Sequence, residues 1–197
     1  MKEALIIFVR HPQLGKVKTR LAATIGNDAA LNIYKKLLQH TLEISKKTEA
    51  TIFVFYADEI VEDDIWQEEN FFKLLQAEGD LGQKMLSAFT QVFASGCDKV
   101  CIIGSDCYEL TETIIADAFT AMNEVDVAIG PANDGGYYLL GMKQLHHSIF
   151  ENKQWSTRTV FDETIHSIMQ AKLSYKTLAT LTDVDEEKDL PNEWRLR

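Results

Sequence analysis

The chain reads as an α/β protein, a three-layer α/β/α sandwich on a mostly parallel sheet, and three observations predict this. The short runs 4–9, 51–56 and 99–104 are dominated by apolar, β-branched and aromatic residues, as strands covered on both faces must be. Longer stretches between such runs repeat apolar residues at three and four positions, the period of an amphipathic helix. Glycine, proline or aspartate punctuates the end of each run. Strands alternating with helices need crossovers, and right-handed crossovers put every strand-to-helix loop on one rim of the sheet.

Composition narrows the function. At 197 residues the expectation is one domain spanning 1–197, large enough for a core without staples. A net charge of −10 argues against a nucleic-acid or anionic-membrane binder, which needs clustered cations. A small anionic ligand in one cationic pocket suits such a chain better. The leading apolar run is too short for a signal sequence or a membrane span. Cys97, Cys101 and Cys107 lack both the even number of a disulfide framework and the spacing of a zinc site. A cytoplasmic protein is expected.

The elements follow in order. Residues 4–9 form a buried first strand that breaks at Pro12 and Gly15. Asn27 is the expected N-cap of a long helix in which Leu31, Tyr34, Leu38, Leu42 and Ser45 share a face. Residues 51–56 form a second strand, 58–70 an exposed acidic helix, and 71–76 a short strand. Residues 81–94 are helical with Met85, Leu86, Phe89 and Phe93 inward, 99–104 are a strand, and Thr111 opens another helix. Strands at 126–130 and 137–142, a helix at 156–171 and an edge strand at 174–178 complete the chain.

Four stretches carry candidate chemistry, and three of them open on the same rim. Residues 8–26 present Lys16, Lys18 and Arg20 after Gly15. No carboxylate occurs from 4 to 27, where this composition would average roughly four. A strand, a glycine-containing cationic loop and a helix form a device for holding polyphosphate. The spacing is not that of a P-loop, and a solvated basic loop would also explain it. Asp106 follows the 99–104 strand directly, either as an Asx-turn or helix cap or as an oxygen ligand for Mg²⁺ or Mn²⁺. Asp134, Gly135 and Gly136 precede Tyr137 and Tyr138, which point to opposite sides of their strand, so at most one should face a cleft. Asp183 and Asp185 alternate, and in extended backbone they share a face. They are either acids on a helical first turn or late metal ligands.

With these stretches in hand, the sequence resembles the nucleotide-diphospho-sugar transferase superfamily, whose Rossmann-like fold is that of glycosyltransferase A. It is most similar to a bacterial family of small glycosyltransferase-like proteins, and more distantly to phospholactate guanylyltransferases and molybdenum-cofactor nucleotidyltransferases. The motifs lie at 8–21, 79–85, 104–108, 134–141, 155–157 and 183–190, so the likeness spans nearly the whole chain. It implies that Gly15, Lys18, Thr19 and Arg20, with Lys16 beside them, hold nucleotide phosphates, and that Gly79 and Gly82 lie near the base or ribose. It implies Asp106 as the metal ligand and Asp185 as a second, with Mg or Mn as the ion. Asp134, Gly135, Gly136, Tyr137 and Trp155 would line the sugar or acceptor side. Tyr108, Lys84 and Glu186 depart from the family pattern, where proline, arginine and threonine are usual.

The expected function is a Mg-dependent transferase acting on an activated nucleotide, and two reactions compete. The partners expected are a nucleotide or nucleotide sugar and an unknown acceptor. Lys18, Arg20 and a cation on Asp106 would neutralise the leaving phosphate. Nucleotidyl transfer suits the richly cationic loop. Glycosyl transfer suits the resemblance, with Asp134 as general base. The rival from another class is a non-catalytic nucleotide-binding or interaction module that keeps the fold.

Overall fold

The computed structural model describes residues 1–195; residues 196 and 197, the end of the expected domain, lie outside the described residues. In chain order the elements are β1 (Glu3–Val9), α1 (Thr19–Ile25), α2 (Asn27–Lys46), β2 (Thr51–Tyr56), β3 (Phe71–Leu75), α3 (Leu81–Ala94), β4 (Lys99–Ile103), α4 (Glu112–Ala121), β5 (Val127–Pro131), β6 (Tyr137–Met142), α5 (Val160–Gln170) and β7 (Tyr175–Thr177). The strands form one seven-stranded sheet in the order β3-β2-β1-β4-β6-β5-β7. β1 pairs in parallel with both β2 and β4, and β7 lies parallel to β5. β6 runs antiparallel between β4 and β5. This is the mostly parallel sheet that the apolar runs predict.

Alternation along β1 makes the three layers. Leu5, Ile7 and Val9 point into one core with Tyr34, Leu38 and Leu42 of α2 and Ile115 and Phe119 of α4. Ala4 and Ile6 point into the other, with Met85, Phe89 and Val92 of α3 and Ile168 of α5. The inner strands β1, β2, β4, β5 and β6 thus bury both faces, which is why their residues need no polar alternation, while the edge strands β3 and β7 stay partly or wholly exposed. α2 carries a second apolar stripe, Ala30, Ile33 and Leu37. It packs with Leu21 of α1 and with Val184 and Leu190 of the C-terminal segment.

Three local expectations need correction. Residues 58–70 are not helical. The Asp64 carboxylate instead accepts hydrogen bonds from the Tyr56 hydroxyl, the Trp66 amide and the Lys73 ammonium, and Trp66 is buried beneath the loop. Asn27 does not cap α2. Gly26 holds the cap position with φ +86°, because a separate helix α1 ends there and the chain must turn sharply. The helix expected from 156 starts at Val160, since 151–159 folds into a loop with Asn152 and Ser156 at positive φ. Among the described residues, no helix is long and apolar enough to cross a membrane.

Candidate active site

Parallel strands bring their carboxyl ends to one rim, and a cleft of about 550 Å³ opens there where β1 and β4 stop. Arg10, Lys18, Arg20, Ser105, Asp106 and Asp185 line its polar side. β6, being antiparallel, begins at this rim. Tyr137 and Tyr138 therefore both reach the lining, contrary to the expectation of one. The Tyr138 hydroxyl donates to the Ala179 carbonyl at 2.9 Å. The Tyr137 hydroxyl lies 3.7 Å from Met85 Sδ, and burial pushes its acidity well down. A larger open recess of about 720 Å³ lies against α5 and includes none of the loop cations.

The loop after β1 is held from below. Tyr34 of α2 accepts a hydrogen bond from the Arg10 amide at 2.9 Å and donates to the Arg10 carbonyl at 3.2 Å. Burial pushes its phenol up to about 12, so it stays a neutral strut. Gly15 takes φ +73° where the loop doubles back, and the Lys16 amide bonds the Gln13 carbonyl at 3.1 Å. Lys18 caps α1 in the left-handed region at φ 50°, ψ 45°. That conformation is uncommon for a non-glycine residue.

Two ion pairs join this loop to the rest of the rim. The Lys18 ammonium lies 2.9 Å from Asp106 Oδ1 and donates to the Val184 carbonyl at 2.7 Å. Its side chain is only 6% exposed, so two of its three donors are committed inside the protein. Arg20 Nη1 lies 2.7 Å from Asp185 Oδ2, and its side chain is 72% exposed. Of the predicted phosphate-holding cations, Lys18 is a buried tie and Arg20 an accessible one. Arg10 and Lys16 also line the cleft, and among the described residues neither forms an ion pair.

The C-terminal segment enters as a strap. The Leu181 amide donates to the Pro131 carbonyl and the Val184 amide to the Asp106 carbonyl, at 3.1 and 2.9 Å. The Thr182 amide donates to Glu109 Oε2 at 2.7 Å. Past the site, the strap is clasped by aromatic rings: Trp194 lies 4.3 Å from Tyr108, which lies 4.9 Å from His40, and the Lys36 ammonium sits 5.2 Å over Trp194. Tyr108, a departure from the family pattern, is thus the middle of a chain of three mutually tilted rings.

The strap separates the two acids that the sequence pairs. Asp185 turns to Arg20. Asp183 is the carboxyl set against Asp106 and Asp134, and it is pushed up to about 7 by burial first and then by those two charges. Alternation at 183 and 185 pointed to both, but not to which lay against Asp106. Asp106 and Asp183 offer hard oxygen donors under mutual repulsion, a donor set that suits Mg²⁺ or Mn²⁺. No cluster of three or more His, Cys, Asp or Glu side chains poised for a metal occurs among the described residues. Further oxygens would have to come from a ligand.

The remaining predicted residues sit around this centre with mostly local duties. Asp134 is exposed, and its Oδ1 accepts the Gly136 amide at 2.9 Å in an Asx turn. Gly135, at φ +92°, passes so close to the Arg158 carbonyl that a Cβ would lie 2.1 Å from it. Gly79, at φ +110°, turns the chain into the Asp80–Gln83 capping box of α3. Gly82 lies under the Trp155 ring, where a Cβ would meet Cε2 at 2.4 Å. Neither Gly79 nor Gly82 lines the cleft; Leu81 and Met85 of the same stretch do, and Thr19 lines it beside Arg20.

Comparison with known proteins bears on family and fold. Residues 40–157 match the family described as "Uncharacterized protein conserved in bacteria (DUF2064)". A Desulfovibrio desulfuricans G20 protein, provisionally named a nucleotide-diphospho-sugar transferase, is 30% identical. The match covers 96% of this chain and 85% of that one, with a TM-score of 0.90. The 4-diphosphocytidyl-2C-methyl-D-erythritol synthase of Anaerococcus prevotii is 10% identical over 95% and 92% of the two chains, with a TM-score of 0.63. A Mycobacterium tuberculosis H37Rv protein solved with manganese is 9% identical over 96% of each chain, with a TM-score of 0.59. The last two show likeness of fold, the α/β fold of nucleotidyl and glycosyl transferases. No functionally curated protein matches the chain in sequence.

Proposed function

The chain belongs to the bacterial DUF2064 family, and on that premise we propose that it is a Mg²⁺- or Mn²⁺-dependent transferase acting on an activated nucleotide. One observation carries the reading. A single cleft gathers accessible cations, Arg20, Arg10 and Lys16, with the Asp106 carboxyl, and Asp183, which is not itself in the lining, lies near enough to Asp106 for the two charges to repel. Transfer from a nucleotide donor accumulates negative charge on a leaving phosphate, and preorganised cations in a partly desolvated site lower that cost. Asp106 and Asp183 would hold the ion, which when bound supplies further charge neutralisation.

The chain's own residues do the rest. Arg20 and Arg10 grip phosphate oxygens, Lys18 keeps Asp106 in place, and Gly15 with Lys18 sets the loop's curvature. Tyr137 forms the wall toward the acceptor, while Gly135, held against the Arg158 backbone, Gly136 in the Asp134 turn and Trp155 over Gly82 lie outside the cleft lining. Asp134 is committed to its Asx turn through one oxygen, so a base role in glycosyl transfer would fall to the other. Nucleoside triphosphate and nucleotide-sugar donors both suit this cleft.

The test is turnover. Wild type is incubated with Mn²⁺ and either nucleoside triphosphates or nucleotide sugars, alongside Asp106→Ala. The expected result is metal-dependent release of the leaving group from one donor class, lost in the folded variant. Metal-independent turnover, or an Asp106→Ala that binds metal and nucleotide like wild type, refutes the assignment. A wild type that binds nucleotide and turns over no donor of either class makes the chain a non-catalytic binding module.

A further inference from the structure

We propose that Asp185 is a gate on the phosphate site, an internal carboxylate that competes with polyphosphate for Arg20. The inference rests on the reading of Arg20 as a phosphate holder. Asp185 Oδ2 lies 2.7 Å from Arg20 Nη1, at the contact distance that a phosphate oxygen would need. Both residues line the cleft, so the pair occupies the ground a ligand must take.

The two ion pairs of the rim differ in what they can give up. Lys18 is nearly enclosed and tied at once to Asp106 and Val184, and the Val184 amide returns a bond to the Asp106 carbonyl. That knot holds the strap regardless of ligand. Arg20 and Asp185 are 72% and 37% exposed, and an exposed pair of this kind is exchangeable because water and salt screen it. Asp185 also has its own anchorage, since its amide donates to Asp189 Oδ2 at 3.3 Å in the turn that follows. Phosphate entry therefore swings one ion pair apart without moving the strap. Asp183, two residues earlier on the same strap, remains beside Asp106 throughout.

Sodium tripolyphosphate, titrated calorimetrically at fixed ionic strength with EDTA and no metal, tests the gate. The full chain is compared with Asp185→Asn, Asp185→Ser, Arg20→Ala and the Arg20→Ala/Asp185→Asn pair. Glu187→Gln serves as control for simple loss of one negative charge on the same turn. Removing a competitor held by an exposed ion pair should tighten binding about two- to five-fold. Both Asp185 variants should do so, Arg20→Ala should weaken binding, and Asp185→Asn should add nothing once Arg20 is gone. If Arg20→Ala weakens binding but neither Asp185 variant tightens it, the gate is wrong and the phosphate reading stands. Equal tightening by Glu187→Gln overturns the gate in the same way, because any lost negative charge would then suffice. If Arg20→Ala leaves the affinity untouched, the phosphate reading fails and the gate with it.

Discussion

At the scale of single residues, burial separates groups that composition treats alike. Lys18 and Arg20 are both loop cations, yet one is sealed under the strap and the other stands in solvent. Arg20→Ala should therefore cost about tenfold in polyphosphate affinity, the worth of a hydrogen bond to a charged group. Its melting temperature should stay within about a degree of wild type, because an exposed ion pair adds little stability. Calorimetry and a melting curve on one preparation check both halves. Asp183→Asn should show the opposite balance. Replacing a carboxyl already pushed up to about 7 by a neutral amide removes a repelled, buried charge at neutral pH and should raise the melting temperature of the free protein. The same change should remove most Mn²⁺ binding, read by electron paramagnetic resonance. Undiminished Mn²⁺ affinity would remove Asp183 from the metal site.

At the scale of elements, the strap is the piece most dependent on distant partners. It bonds backbone to backbone with residues 106 and 131, and its apolar residues Val184 and Leu190 cover Leu21, Ile33 and Leu37. Trp194 closes it against Tyr108. Trp194→Ala should cost about 1–2 kcal/mol, from lost aromatic contact and cation–π attraction. It should also speed amide exchange across 182–190 specifically, with α3 and β1 unaffected. Uniform exchange rates would mean that the clasp holds nothing locally. The α3 start has its own constraint at Gly82, beneath Trp155. Gly82→Ala places a methyl where the indole lies and should destabilise by about 1–3 kcal/mol, an overpacking cost. The indole fluorescence should shift as the ring is displaced. A neutral Gly82→Ala would show that the ring moves freely.

At the scale of the whole molecule, the cleft exists because β1 and β4 are adjacent parallel strands and β6, between β4 and β5, starts from the same rim. Ligand binding there ties the β1 loop, the β4 loop and the strap together, and a ligand that binds only the folded state raises stability by mass action. A metal–nucleotide complex at about a hundred times its dissociation constant should add about 2.7 kcal/mol. For a chain of this size that means a rise of about 5–10 °C in melting temperature. Mg²⁺ with nucleoside triphosphates, Mg²⁺ with nucleotide sugars, and each without metal form the panel. A shift with triphosphates and none with any nucleotide sugar excludes glycosyl transfer as the chain's reaction.

Much of this was written in the chain itself. Fully apolar strands and three-four periodicity are local signals, and they determined the α/β class, nearly all the strands and the helix from 81 to 94. The charge pattern determined which loop is cationic and where the acids stand. Local signals failed where distant partners decide the backbone: 58–70 is organised by Tyr56 and Lys73, not by its own periodicity. Only the tertiary structure decided that β6 reverses, that Tyr108 anchors the strap, and which of Asp183 and Asp185 faces Asp106. The strap meets residues 106 and 131 across long stretches of chain. Its side-chain directions are therefore set by packing against surfaces that exist only once the sheet is assembled.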